Sequence, residues 1–491
     1  MMGIIQKQAI RGTIYSYIGV GVGFLTSGIL FPKYLTPEVI GLLSLVVSYS
    51  VIFSQFGSLG FGGVINRLFP YFRDKETGHQ GFLIIALGIS FIGFVLVIIV
   101  LEFMRPMIIR HNIKNSALFI EYFVYLPPLI FFTLFFNLFD TYTKALYQAV
   151  IGTVMKEVVQ RLLILVFIFL YILDLINLRS FIILYIVALC LPTIFLLIFL
   201  IIKDEFKIRK PQSVFTSALK REMFYICLHG LLIGLGVNII PYVNTILVNK
   251  FMGLSQTGVF TIAFYFGTII LIPSRPLVKI ASTILADSWK SNNLDNIKMI
   301  YQKSCVIQAF ASILLFILLW VNIDNVFHVT GSVYESGKWV IFFIGLTNVV
   351  EMSTGINAMI IQTSASYRIN TIITMIFLIF LVVSNIILIP LLGLTGAALG
   401  TLISNSATNF IRFAFLKRKF NMQPFDNRIL LLIGFGGISY LAGYLIPDLN
   451  DFILDIGLKS AVTGFIFIFL VLRFNISEDV NGEVNRILGR K

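Results

Sequence analysis

Charge is scarce in this chain. Of 491 residues, 12% are Asp, Glu, Lys or Arg, against about a quarter in an ordinary soluble domain. Hydrophobic residues make up 58%, Phe alone fills 48 positions, and the mean hydropathy is +0.95. A water-soluble globular enzyme is excluded. Cysteine is sparse too: Cys190, Cys227 and Cys305 lie in or beside apolar runs, and an odd three implies neither a disulfide framework nor a metal cluster. Of the four histidines only His229 approaches an apolar run, and no Cys, Asp or Glu stands near it at metal-ligand spacing. The phosphate loop, the metalloprotease helix and the nucleophile elbow are absent, so no catalytic residue, cofactor or metal is expected.

What the chain has instead is long hydrophobic runs. Stretches such as Phe82–Leu101 match the roughly 20 apolar residues of a membrane helix, not the alternating segments of a transmembrane barrel. Apolar windows predict helices at 12–32, 39–62, 82–103, 119–142, 152–173 and 180–202. They predict eight more at 224–248, 257–278, 305–327, 338–361, 370–390, 393–416, 429–447 and 453–473. The expected fold class is an all-α polytopic membrane protein with about 14 transmembrane helices, two six-helix lobes followed by two C-terminal helices.

The net charge of +14 follows the same topology. With both termini on one side, that side holds 29 of the 37 Lys and Arg residues and the other side 8. Cytoplasmic segments carry such an excess, so a multi-pass protein with both termini cytoplasmic is expected. Membrane lipids are expected partners. Nucleic acid is not, because no basic stretch is interleaved with aromatics. Lys7 and Arg11 precede a first helix without a small-residue cleavage pattern, so that helix is expected to be retained.

A basic segment, Lys203–Arg221, with Pro211 inside it, divides the chain. The expected organisation is an N-terminal lobe at 1–202, a cytoplasmic linker at 203–223, a C-terminal lobe at 224–416, and helices 13–14 with a cytoplasmic tail at 417–491. The polar connection Asp287–Lys303 is expected to lie on the membrane surface as an amphipathic helix. One internal echo suggests duplication: Lys33-Tyr34-Leu35 precedes Gly41 as Lys250-Phe251-Met252 precedes Gly258, both at an offset of 217. Two parallel halves around a polar cleft is a transporter arrangement.

The run Gly57-Ser58-Leu59-Gly60-Phe61-Gly62-Gly63, leading to Arg67 and Phe69-Pro70-Tyr71-Phe72-Arg73, resembles the end of helix two in bacterial polysaccharide exporters. So do Glu351-Met352-Ser353-Thr354-Gly355-Ile356-Asn357 with Ser366-Tyr367-Arg368, and Ile389-Pro390 with Gly393 and Gly396-Ala397-Ala398. Over nearly its whole length the chain is similar to the O-antigen (Wzx-type) flippases of the multidrug/oligosaccharidyl-lipid/polysaccharide exporter superfamily. The resemblance implies a bacterial inner-membrane transporter of a lipid-linked oligosaccharide, working with a glycan polymerase and glycosyltransferases. It also implies that helices 13 and 14 are peripheral and form a groove for the lipid tail.

Ionisable groups at membrane depth cost about 2.5–3.5 kcal/mol each on insertion scales and stand as functional candidates. Glu351 is the deepest carboxylate, with Thr347, Asn348, Thr354 and Gly355 on its face. Either Glu351 and Asn348 serve proton or sodium coupling, or Glu351 is a structural acid paired with a cation on another helix. Arg275 stands between Pro273 and Pro276, where the helix is expected to kink, with Lys279 one turn on. The two either receive a phosphate or snorkel to the interface. Arg67, after the Gly-rich run, and Arg368, the lone Lys or Arg of its loop, complete the substrate-binding candidates. Arg368 is a gate residue or an interface anchor. Asp140 with Lys144 and Glu157 with Arg161 are i,i+4 pairs read as structural.

The expected mechanism is alternating access by rocking of helices 1–6 against 7–12. Two charges moved through 100 mV gain roughly 4–5 kcal/mol, so a pyrophosphate headgroup needs no ATP. Two alternatives stay open: a multidrug or cation antiporter of the same superfamily, and a membrane enzyme such as a glycan polymerase or acyltransferase. The longest external connection, Met104–Leu118, is short for a polymerase, and basic candidates suit an anionic cargo better than a cationic one.

Overall fold

In hydrocarbon every backbone N–H and C=O must be paired within the protein, which leaves helices as the economical solution for long apolar runs. The computed structural model describes residues 2–113, 115–209, 216–476 and 482, and among them every regular element is helical. Within the expected linker, 210–215 lie outside the described residues, as does the expected tail after 476 apart from 482. Side chains start several helices: Thr36 accepts from the Val39 N–H ahead of Pro37, Asn177 from Ser180, and Thr216 from Leu219. Each satisfies an N–H that has no partner inside its own helix.

The chain forms two compact units, Met1–Thr261 and Ile262–Lys491. Unit 1 contains α1 (Met2–Gly23), α2 (Pro37–Gly57), α3 (Phe61–Phe72), α4 (Phe82–Asn112), α5 (Leu126–Ala145), α6 (Gln160–Ile172), α7 (Leu178–Ile202) and α8 (Ser217–Met252). The unit boundary falls inside α9 (Leu254–Thr268). Two π-helical turns interrupt unit 1, Phe24–Leu30 after α1 and Val154–Val159 before α6. Its aromatic core includes Phe61, Phe69, Phe82 and Tyr142, all fully buried, with the Phe69 ring edge-on to Tyr142 at 5.0 Å and to Phe82 at 5.3 Å. Helix α8 packs on α2 and α3 within this unit.

Unit 2 contains α10 (Ser274–Lys290), α11 (Leu294–Val321), α12 (Lys338–Ser353), α13 (Asn357–Thr363), α14 (Tyr367–Leu392), α15 (Leu394–Phe420), α16 (Asn427–Tyr444) and α17 (Phe452–Arg473). Tyr301, Cys305, Leu432 and Phe467 lie in its buried core.

Among the described residues nine helices are long and apolar enough to cross a membrane, or eleven when two bent pairs count as single spans. Three more have spanning length but carry polar residues: the continuous stretch 149–172, α15 and α16. Together they are roughly consistent with the expected fourteen, and the chain is a multi-pass membrane protein.

The breaks are where the structure departs from expectation. The helix expected over 39–62 stops at Gly57, because Leu59 and Gly60 take φ of 47° and 73°. A Cβ on Gly60 would stand 1.9 Å from the Cys227 carbonyl oxygen, so only glycine permits this crossing. The helix expected over 257–278, with a kink between Pro273 and Pro276, does change direction there: it breaks before Ser274, with Pro273 at the N-cap of α10. The segment Asp287–Lys303, expected as one surface helix, is instead the end of α10, a turn at 291–293 and the start of α11. The span expected over 338–361 bends by 50° between α12 and α13.

The two halves of the sequence echo meet. A Cβ on Gly41 of α2 would lie 2.1 Å from the Leu254 carbonyl oxygen, and one on Gly258 of α9 would lie 1.8 Å from that of Pro37. The contact is reciprocal, backbone on backbone.

Candidate functional site

Unit 2 holds a polar network around Glu351 at the end of α12. One carboxylate oxygen, Oε2, accepts from Asn405 Nδ2 at 3.0 Å and from Asn409 Nδ2 at 2.6 Å, both on α15. Asn409 Oδ1 in turn accepts from the Thr354 hydroxyl at 3.1 Å and from Asn357 Nδ2 at 2.9 Å. The bend between α12 and α13 brings Thr354 and Asn357 to the same amide. Among the described residues no Lys or Arg forms an ion pair with Glu351, so its acid is held by amides rather than by a cation. Asn348 turns elsewhere, donating to the Gly267 carbonyl at 2.9 Å, so it braces α12 against α9 and makes no bond to Glu351.

Thr354 and Asn409 also line a cavity of about 680 Å³ within unit 2. Its other walls are apolar: Phe316 and Trp320 of α11, Phe342 of α12, Phe413 of α15, and Ile433 and Tyr440 of α16. Such a cavity suits a hydrocarbon chain with one polar end.

Of the four predicted cations, Arg67 belongs to unit 1 and Arg275, Lys279 and Arg368 to unit 2. Arg275 and Lys279 share the exposed face of α10, one turn apart. Arg67 is exposed on α3 of unit 1, and Arg368 is exposed at the start of α14, its guanidinium 5.9 Å from the ring of Tyr367. None of Arg67, Arg275 and Lys279 has a carboxylate partner among the described residues.

Unit 1 manages its charges differently. Lys144 pairs with Asp140 on α5. Arg161 pairs with Glu157 at 2.7 Å and donates to the Gly19 carbonyl of α1. Beyond α3, the loop 74–81 receives the segment after α7. His79 Nδ1 accepts from the Asp74 N–H at 3.2 Å, so Nε2 carries the proton and donates to Glu205 at 2.8 Å. Lys75 donates to the Lys203 carbonyl and Arg209 to the Glu76 carbonyl. The Thr77 hydroxyl on Asp74, and the Lys207 ammonium bonded to Asp204, hold these two carboxyls below their ordinary range.

No protein-family model matches the sequence, and no curated protein is similar to it in sequence. Solved structures are similar in fold. A lipid II flippase, MurJ, in an inward closed conformation superposes with a TM-score of 0.74 at 17% identity, over 95% of this chain and 100% of its own. A multidrug resistance transporter of the MATE family, inward-facing and of the MOP superfamily, gives 0.62 at 16% identity over 84% and 98%. A MOP-superfamily transporter from Pyrococcus furiosus gives 0.53 at 18% identity over 84% and 96%. The chain shares their fold. All three are transporters, and MurJ matches more of this chain than either of the others.

Two charged residues of this arrangement escaped the sequence reading. Lys156 stands in the π-helical turn before α6, and Arg412 of α15 is buried with its Nε unpartnered. A further signal was Gly19-x-x-x-Gly23 on α1: a Cβ on either glycine would meet Glu157 or Arg161, the close helix approach that such spacing permits.

Proposed function

We propose that this protein flips a polyprenyl-diphosphate-linked oligosaccharide from the cytoplasmic to the outer leaflet of a bacterial inner membrane by alternating access, for cell-surface polysaccharide assembly. The observation that carries the reading is the cavity of about 680 Å³ whose apolar walls end on Asn409, a donor to the Glu351 carboxylate, and on Thr354, which donates to Asn409. A hydrocarbon tail fills such walls, while its headgroup cannot cross lipid unaided because desolvating phosphate and hydroxyls is prohibitive. The similarity in fold to a lipid II flippase over its whole length supports the same class of cargo.

In this reading Arg67, Arg275, Lys279 and Arg368 receive the diphosphate at successive stages. Glu351 exchanges a proton or sodium ion as its amide partners shift, with Asn348 fixing its helix. The glycan polymerase and glycosyltransferases act before and after the flip. Reconstitution in vesicles with a lipid-linked oligosaccharide tests it: wild type moves the headgroup to the opposite face, and Arg275→Ala slows that movement. A wild-type chain that leaves the headgroup in place overturns the reading.

One observation favours a second reading, export of organic cations. Glu351 has no cationic partner among the described residues, in a fold similar to that of a multidrug resistance transporter. Uptake of cationic dyes driven by a proton or sodium gradient, without headgroup movement, would select it.

A further inference from the structure

The helical stretch 149–172 has spanning length, yet each of its 18-residue windows contains Lys156, Glu157 and Arg161. Two of these neutralise each other. Glu157 and Arg161 are paired at 2.7 Å, and Arg161 is also fixed on the Gly19 carbonyl. Nearby on α5, Asp140 and Lys144 form a second closed pair. Lys156 is left over. Among the described residues its ammonium has no carboxylate within ion-pair distance and makes no hydrogen bond; it lies over the face of Phe136, 5.2 Å from the ring centre. Glu157 and Asp140 stand near enough to attract it, but each is already closed on another cation, and a cation without an ion pair of its own on a spanning helix is costly and marks a functional position.

The side chain is exposed, but not with the apolar stripe. Leu162, Val166, Phe169 and Leu173 are exposed at helical spacing and mark one face of α6. At about 100° per residue, and less through the π turn, Lys156 falls about a third of a turn or more from that stripe. It therefore neither lies with that stripe nor is locked into a pair. The π turn that carries it packs against α1, which approaches closely because Gly19 and Gly23 have no side chains.

We propose that Lys156 is the docking site in unit 1 for the phosphate of an amphiphile, the diphosphate of the lipid-linked cargo, with Arg161 and Lys144 as reserve cations. The proposal rests on the flippase reading and adds to it a site and an order of events. Three cations and two carboxylates leave one net positive charge, enough to attract a diphosphate and too little to trap it. A transport site must bind well enough to admit its cargo and weakly enough to release it. Lys156 supplies a mobile point charge. Once the anion arrives, it competes with Glu157 for Arg161, whose fork can engage a phosphate through two parallel bonds.

The full chain in phosphatidylcholine nanodiscs provides the test. Amine-directed acylation of Lys156, mapped by mass spectrometry, is expected to slow at least fivefold with a polyprenyl diphosphate and to be unaffected by the uncharged polyprenol. Lys156→Gln is expected to weaken diphosphate binding about tenfold and to slow headgroup flipping, while Lys156→Arg retains both. Lys156 makes no ion pair, so both variants should keep the wild-type unfolding temperature; the acylation arm needs no variant at all. Equal protection by phosphatidylglycerol would overturn the assignment to cargo in favour of a membrane lipid. A Lys156 that stays unprotected while wild type flips the headgroup would overturn the site and leave the function standing. A wild type that fails to flip overturns the function, and protection of Lys156 would still support an anion site.

Discussion

Two acids, Glu157 of unit 1 and Glu351 of unit 2, are held in opposite ways. Unit 1 closes its acids on cations, Asp140 on Lys144 and Glu157 on Arg161, and surrounds the second pair with the backbone of α1. Among the described residues Glu351 has no cation and accepts from Asn405 and Asn409, the latter fixed in turn by Thr354 and Asn357. A closed pair holds its charge state, because neither partner can change protonation without stranding the other. An acid held by amides can gain a proton and keep most of its bonds. The comparison sets a charge held by a counter-ion against one held by amides alone, and in the function proposed above the second is the one that exchanges.

The largest effect should come from removing the Glu351 carboxylate. Glu351→Gln keeps an oxygen for Asn405 and Asn409 but fixes the neutral form, so it should fold as wild type and lose at least tenfold in headgroup flipping. Flipping that persists in this variant would make Glu351 structural. Next, Arg161→Ala leaves Glu157 unpaired. Breaking a buried pair costs about 3–5 kcal/mol, and this one is partly exposed, so about 2 kcal/mol is expected as a lowered unfolding temperature. The double variant Glu157→Gln with Arg161→Gln should recover most of that loss. Equal stability in the single and double variants would mean that the pair carries nothing.

A third change probes unit 2 by stability alone. Asn409→Leu removes donors to Glu351 and acceptors for Thr354 and Asn357, and should cost about 1–3 kcal/mol through unpaired polar groups. The smallest effect belongs to the loop outside the spans. The Asp74 carboxyl is held below its ordinary value by Thr77. Its contribution is therefore complete above the ordinary carboxylate range and fades as pH falls through the lower folded value. Protease cleavage in 203–209 should rise slightly on acidification from pH 7 to 3 in wild type, and Asp74→Asn should flatten that rise.

The sequence carried the spans well, because twenty apolar residues leave few alternatives to a helix. Its weak points were the breaks. Leu59–Gly60 interrupts an apolar run that hydropathy reads as continuous, since a left-handed residue changes direction without changing polarity, whereas the change of direction at Pro273 was legible in its missing N–H. Glu351 was visible as a deep acid, but its partners were not: Asn405 and Asn409 lie more than fifty positions away, and no local spacing announces a contact made by packing. Asn348 was grouped with Glu351 by helical periodicity, whereas its amide turns to Gly267. Lys156 was overlooked because counting charges by side places a lysine near a helix end with its loop.

The reciprocal crossing of Gly41 and Gly258 has a mechanical consequence. With no rotamer between the two backbones, the joint has no backlash: sliding α2 along its axis must carry the start of α9 with it at once. Small displacements at one helix are thus passed on undiminished, as through a meshed gear rather than a spring.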